Sequence, residues 1–357
     1  MAQVQPQQPH IPLELVFEIM TCLLPVNEHA IIPLSHPATQ ALLAFTTVSR
    51  ATHEDAVKKL KQHCLHIDNS DRLSRFVRCL EASQQSSLGL PSVFQGITSM
   101  YLHVSDTYRA YINAVGLFKH FRTSLQRLIV QRDTAPNLID ATRQMSLAIA
   151  ELPNLEELSC GTDIVDLVVY SRFPFLSIDT WVNRRLFPAL KRLGVKSYDN
   201  SRMNAPLRWP IVLMPSIELA VLLETCPFDG ATTFLTPQLI QQATRTVMIV
   251  LAETGRDPEF YSENDIRMIE NRGQGYLRAK KHLIPNGESC DNFWLRNSLS
   301  GELWDLGDDQ QARLPAATNQ NEVTEADITD VSNAMNAMNV LDVTENADET
   351  EAAEESG

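Results

Sequence analysis

Short apolar segments recur along the middle of the chain at intervals of 26 to 35 residues, and this repetition constrains the fold more than any other feature. Each segment has an apolar anchor followed two positions later by a second apolar residue. The pairs are Leu102/Val104, Leu128/Val130, Leu158/Cys160, Leu193/Val195 and Leu219/Val221, and Val247/Ile249 fits as a sixth. Because alternate residues of a strand face the same side, each segment predicts a half-buried strand.

The stretches between these segments have helical periodicity, most clearly at residues 111–121 and 138–152. A repeated strand–helix unit with parallel strands predicts an α/β fold in which neighbouring units cover each other's apolar faces. A three-layer α/β domain, in which strands and helices alternate for generic reasons, is the alternative.

Two segments, Leu152-Pro153-Asn154-Leu155-Glu156-Glu157-Leu158 and Phe187-Pro188-Ala189-Leu190-Lys191-Arg192-Leu193, resemble leucine-rich repeats. The resemblance implies an irregular leucine-rich-repeat-like solenoid over residues 68–305, which would bind a protein substrate through its strand side chains. Towards its end we expect a helix running to Leu283, with Ile266, Ile269 and Leu277 inward. An apolar cluster at 293–304 is expected to cap the solenoid.

Residues 11–67 predict a unit of three short helices. Pro12 suits the first turn of a helix, and Pro25 ends it. A second apolar stripe spans residues 42–48, and Ser49-Arg50 precedes a more polar third helix. The residues spaced for one face of the first helix are Leu15, Val16, Ile19, Met20, Leu23 and Leu24.

The run Ile11-Pro12-Leu13-Glu14-Leu15, followed by Leu43 and Val48-Ser49-Arg50, resembles the F-box of fungal proteins. The connection from Pro25 to Gln40 is longer than in that family, and the tryptophan near the end of its motif is missing. The resemblance implies that the helices bind the Skp-type adaptor subunit through Pro12, Leu13, Leu15, Ile19, Leu23 and Val48.

The implied function is substrate recognition in a Skp-cullin-F-box ubiquitin ligase, in which the Skp adaptor connects this chain to a cullin. Catalysis would then reside in other subunits, and this chain would not be an enzyme. The alternative is a leucine-rich-repeat scaffold that binds proteins without any connection to ubiquitin, its N-terminal helices serving as a cap.

The net charge of −14 is concentrated at the C-terminus, where thirteen acidic residues face one basic residue, Arg313, from Asp308 onward. We predict disorder for this acidic tail, residues 306–357, and for the Gln- and Pro-rich residues 1–10. The remaining chain is nearly neutral and has no basic stripe, which argues against a nucleic-acid partner. No segment predicts a membrane span or a secretory signal, so we expect a cytoplasmic or nuclear location.

Three local patterns resemble parts of chemical sites, but none of them predicts catalysis, a metal site or a cofactor site. Ser289-Cys290-Asp291 follows a polar turn without a histidine motif beside it. His63, Cys64 and His66 lack further ligands at zinc-site spacing. Gly273-Gln274-Gly275 lacks the Gly-Lys-Ser/Thr sequence of a phosphate-binding loop.

Overall fold

The structure is a computed structural model that describes residues 11–85, 96–133, 138–161, 164–165, 187–196, 214, 216–223, 246–254, 263–272 and 277–307. The predicted disordered N-terminus, the glycine pair at 273–275 and the acidic tail from residue 308 lie outside these ranges. Leu306 and Gly307, which we assigned to the tail, belong to a 3-10 helix instead, and Leu306 is buried. All described residues lie in one compact unit, Met1–Asp309.

Three helices open the described chain: α1 Leu13–Cys22, α2 Pro37–Phe45 and α3 Arg50–His63. Pro12 stands immediately before α1, and the Ser49 hydroxyl accepts a hydrogen bond from the backbone of Thr52 to cap α3. The three helices surround a small apolar cluster of Met20, Ile32, Ala38, Leu42, Ala56 and Cys64. The predicted order of three short helices is therefore confirmed.

A parallel sheet follows, with its eight strands arranged in the order of the sequence. Its strands are β1 His66–Ile67, β2 Ser99–Val104, β3 Arg127–Arg132, β4 Glu157–Gly161, β5 Arg192–Lys196, β6 Leu219–Leu223, β7 Val247–Glu253 and β8 Leu277–Leu283. All six predicted apolar segments form strands, and the α/β class is confirmed. The first strand, β1, comes from the end of the range predicted for the helical unit.

One face of the sheet is covered by helices, and we call it the helix-covered face. Its helices are α4 Ser70–Gln85, α5 Tyr108–His120, α6 Ile139–Ala150 and α7 Glu263–Arg272. In-register apolar residues of successive strands, Met100, Leu128, Leu158, Leu193 and Ala220, form a continuous row on this face. Tyr111, Leu117 and Phe118 of α5 are fully buried against it. This layer holds the largest apolar core of the described chain.

The other face, which we call the opposite face, is partly covered by the last described residues. This C-terminal segment, residues 284–307, contains α8 Cys290–Ser300 and the 3-10 helix Glu302–Gly307. Its buried residues Phe293, Trp294, Leu303, Trp304 and Leu306 pack on Leu219, Val221, Leu223, Val250 and Ala252. The cluster that we expected to cap the end of the solenoid therefore lies across the strands.

The structure corrects the predicted orientation of β6. Leu219 and Val221 point to the opposite face, whereas Ala220 and Leu222 join the helix-covered core. The pairing of Leu193 with Ala220 fixes this register. A shift of one residue exchanges the two faces of a strand, and the sequence Leu-Ala-Val-Leu-Leu has no polar alternation that would reveal the shift.

The prediction of a helix running to Leu283 is also wrong. Helix α7 ends at Arg272, and residues 277–283 form β8, the last strand of the described sheet. The N–H of Ala279 donates a hydrogen bond to the Glu270 carboxylate of α7 at 3.3 Å, where a further strand would offer a carbonyl. The apolar pattern did not predict this strand, because several of its residues are charged and partly exposed. An edge strand need not be apolar.

Within the described ranges, no helix combines the length and the apolar composition that a bilayer crossing requires.

Candidate protein-binding surface

Apolar side chains are exposed mainly on the N-terminal helices. Of the ten large apolar residues that are exposed in the described chain, seven lie between residues 11 and 48. They are Ile11, Leu13, Leu15, Ile19, Val26, Leu43 and Val48. A concentration of exposed apolar side chains in one part of a soluble protein marks a candidate site of interaction. We call the set Ile11, Leu13, Leu15, Ile19, Leu43 and Val48 the exposed apolar surface.

Helix α1 divides its apolar residues between two directions. Met20 is fully buried in the cluster inside the three helices, and Val16 packs against that cluster. Leu15 and Ile19 remain 50% and 48% exposed. Burying such a side chain completely is worth about 1.5–3 kcal/mol, so this exposed half has unused binding energy. The single apolar stripe expected for α1 is thus split into an inner and an outer part.

Most of the predicted contact residues lie on the exposed surface. Pro12, Leu13, Leu15 and Ile19 are exposed on or beside α1, and Val48 is exposed just before α3. Leu23 differs, because it is only partly exposed and packs against the internal cluster. The structure therefore brings five of the six predicted residues to the surface, and it places Leu23 in the packing between the helices.

Leu43 belongs to this surface although we did not predict it as a contact. Its neighbour Leu42 is fully buried, whereas Leu43 is 44% exposed. Consecutive helical residues point about 100° apart, so the burial of Leu42 turns Leu43 outward. The adjacent pair Leu42-Leu43 was the sequence signal for this exposed side chain, because two consecutive residues of a helix do not face the same side.

The connecting loop between α1 and α2, residues 23–36, docks the helices onto the sheet. His29 Nδ1 lies 2.6 Å from Glu157 Oε1, and Arg192 donates to His29 Nε2 at 2.8 Å. Because a guanidinium donates and does not accept, His29 Nε2 is the acceptor in the contact with Arg192. Arg127 also donates to the backbone carbonyl of Glu28. This connection thus makes contacts with β3, β4 and β5.

Helix α3 lies between α1 and the sheet. It packs against α1 on one side and against β2 on the other. The N–H of Ile32 donates to the carbonyl of His63 at 2.6 Å, and the His63 ring contacts the carbonyl of Ala30 at 3.1 Å. Burial lowers the pKa of His63, which favours its neutral form. These contacts attach the connecting loop to α3 while the exposed side of α1 stays free of the sheet.

The polar or charged residues of the strands include His103, Gln131, Ser159 and Lys196. Ser159 is covered, because its hydroxyl lies 2.7 Å from that of Ser298 in α8. Lys196 is covered as well, since its Nζ lies 2.7 Å from Asp291 Oδ1 and 5.1 Å from the centre of the Trp294 ring. The C-terminal segment therefore occupies this part of the opposite face.

The other two positions, His103 and Gln131, remain partly exposed at the N-terminal end of the sheet. His103 Nδ1 lies 2.9 Å from the Asp68 carbonyl, and its Nε2 lies 3.1 Å from Asp133 Oδ1. Gln131 accepts a hydrogen bond from the Tyr101 hydroxyl at 2.6 Å. Burial raises the pKa of Tyr101 to about 12, so the phenol stays a donor at neutral pH.

The remaining chemical candidates have structural roles in the described residues. Ser289 caps α8 by accepting from the N–H of Asn292 at 3.2 Å. Cys64 is buried beside the Thr39 hydroxyl, and burial raises the pKa of its thiol. No group of three or more His, Cys, Asp or Glu residues is arranged to hold a metal ion in the ranges the structure covers.

Comparison with known families and with curated proteins gave no match to this chain.

Proposed function

We propose that the protein is a substrate-recognition adaptor of a Skp-cullin-F-box type ubiquitin ligase. The N-terminal helices bind the Skp adaptor subunit, which links the chain to a cullin, and the sheet region binds a protein substrate. The observation that carries this proposal is the exposed apolar surface on α1, at the end of α2 and before α3. Such an adaptor works in the cytoplasm or nucleus, where the ligase acts.

Helices that served only as a cap of the sheet would bury their apolar residues against it. If the helices only closed the end of the sheet, Leu13 and Ile19 would be buried against the first strands. They are instead 41% and 48% exposed, while α3 makes the contact with β2. This arrangement favours the adaptor over an unconnected scaffold, because it keeps apolar residues available for a second protein.

The finer fold in this proposal is an irregular leucine-rich-repeat-like solenoid. Its support is the order of the strands, which are parallel and neighbour each other in sequence order. The in-register row from Met100 to Leu193 matches the repeated apolar anchors of such folds.

The substrate is proposed to bind near β2 and β3. His103 and Gln131 are partly exposed there, and Asp133 has a half-exposed side chain. Ser159 and Lys196 are unsuitable because α8 covers them. Substrate recognition would thus occur on the part of the sheet that lies closest to the N-terminal helices.

The proposal is tested by measuring the binding of purified Skp adaptor to the full chain by calorimetry. We expect the Leu13→Asp, Leu15→Asp double variant to lose binding by at least about 100-fold, because two charges would enter an apolar interface. The matched control is Tyr108→Asp, Ile139→Asp, which alters two exposed apolar residues on α5 and α6. The control should bind as the unaltered chain does.

Two results would contradict the proposal. One is a folded Leu13→Asp, Leu15→Asp variant that binds the adaptor normally. The other is an unaltered chain that does not bind the adaptor at all. Circular dichroism of each variant establishes that it is folded.

A further inference from the structure

The C-terminal segment contacts the connecting loop as well as the sheet. The N–H of Ile31 donates to the carbonyl of Leu299 at 2.7 Å. Ile31 is only 2% exposed and belongs to the same apolar cluster as Trp294 and Leu303. One segment near the end of the described chain therefore joins residues that follow the first helix to the face of the sheet.

The close contact between the C-terminal segment and the connecting loop requires a glycine at position 301. It ends α8 with a φ of +79°, a conformation that side chains of L residues rarely adopt. A Cβ atom at this position would lie 2.8 Å from Asn27 Oδ1 and 2.8 Å from His29 Cβ. Glycine is thus required both by the backbone and by the closeness of the connecting loop.

A polar contact holds the same loop from the side of the sheet. Glu157 has a side chain that is only 8% exposed, and it meets both His29 and Arg192 at 2.6 and 2.8 Å. The loop is therefore bound by Glu157 through the His29 ring and closely approached by Gly301 at the same residue. Two anchors on different elements restrict rotation of the helices about the loop far more than one would.

We propose that the C-terminal segment, together with Glu157 of β4, fixes the orientation of the N-terminal helices relative to the sheet. The inference rests on the proposed function for its biological meaning: a fixed orientation sets the distance between the bound Skp adaptor and a substrate on β2 and β3. Gly301 and Glu157 are the positioning residues, and neither belongs to the exposed apolar surface. The helices retain their own internal cluster, so adaptor binding does not depend on this element.

The test compares Gly301→Ala with Gly287→Ala in the full chain. Gly287 has a similar φ of +90° but no atom within 4 Å of an added Cβ, so it reproduces the backbone strain without the collision. Spin labels are attached to azido-phenylalanine introduced at Thr47 and Arg143, which are exposed in the turn between α2 and α3 and on α6. Pulsed electron spin resonance then gives the distribution of distances between the helices and the sheet.

We expect a single narrow distribution for the unaltered chain and for Gly287→Ala, and a broad one for Gly301→Ala. Hydrogen exchange of the peptide that contains Ile31 should become roughly tenfold faster in Gly301→Ala alone, because the loop would open locally. A narrow distribution in Gly301→Ala overturns the inference, whatever happens to exchange at Ile31.

A second variant keeps the test decisive if Gly301→Ala does not fold. Glu157→Gln weakens the anchor on the sheet side and should also broaden the distribution; an unchanged narrow distribution would count against the inference. Skp adaptor binding is measured on every variant and should stay within about twofold. Failure of the unaltered chain to bind the adaptor would remove the proposed function and leave the distance result intact.

Discussion

The N-terminal helices and the sheet differ in how completely they bury their apolar side chains. The sheet has helices on one face and the C-terminal segment across much of the other, so the apolar residues of β6 and β7 are buried on both sides. The N-terminal helices bury only an inner cluster and leave Leu15 and Ile19 half exposed. The half-exposed residues of α1 are the observation on which the proposed binding of a second protein rests.

The largest expected effect comes from removing the cover of the sheet. Trp294 is fully buried on the opposite face, so Trp294→Ala should lower the free energy of unfolding by about 3–5 kcal/mol. Leu15→Ala, on the exposed part of α1, should lower it by less than about 0.5 kcal/mol. Urea unfolding followed by circular dichroism measures both. Equal losses in the two variants would remove the contrast between the two regions.

A sharper comparison lies within α2. Leu42 is fully buried and Leu43 is 44% exposed, although they are neighbours of the same type in one helix. Leu42→Ala should cost about 2–4 kcal/mol of stability, while Leu43→Ala should cost little stability but weaken adaptor binding. Unfolding and calorimetry on both variants separate the two roles. The opposite pattern would mean that the exposed surface is assigned to the wrong side of α2.

The smallest expected effect is a change in the pH dependence of stability. Burial lowers the pKa of His66, which stacks on Tyr101 with ring centres 4.3 Å apart. As the pH falls, the unfolded chain therefore binds a proton at His66 at a higher pH than the folded chain does. The contribution of His66 to the free energy of unfolding should be fully present above the ordinary histidine pKa of about 6.5 and should decrease as the pH falls below it.

The His66→Phe variant isolates this effect, because it keeps an aromatic ring on Tyr101 and removes the titrating group. Its stability should decrease less between pH 7.5 and 5.5 than that of the unaltered chain. His53→Gln alters an exposed histidine and serves as the control. An unchanged slope in His66→Phe would show that His66 does not contribute to the pH dependence.

The sequence was informative where apolar and polar residues alternate. Leu158/Cys160 and Leu193/Val195 alternate with polar residues or glycine, and both pairs lie in the core of the helix-covered face. In β6 every residue is apolar, so periodicity could not distinguish its two faces. In β8 four of the seven residues are Arg, Lys or His, as an edge strand with a partly exposed surface allows, and the pattern resembled a helix.

The candidate surface was predictable only in part. Helical spacing placed Leu15, Ile19 and Met20 together, but the contacts of α2 and α3 decide which of them is buried. The cover over Ser159 and Lys196 was not predictable at all. It depends on α8, whose Ser298 lies 139 positions after Ser159, and no local pattern encodes a contact over that separation.

The contact between Ser159 and Ser298 spans 139 positions of the chain and has a consequence for how the protein is made. Strands β6 and β7 are synthesised before α8, so their apolar side remains open to solvent until the later residues arrive. Contacts between such distant positions form slowly, and open apolar strands are prone to aggregate in the meantime. A chain that ends before residue 290 would keep the apolar side of β6 and β7 exposed and would become a target for chaperones or proteases.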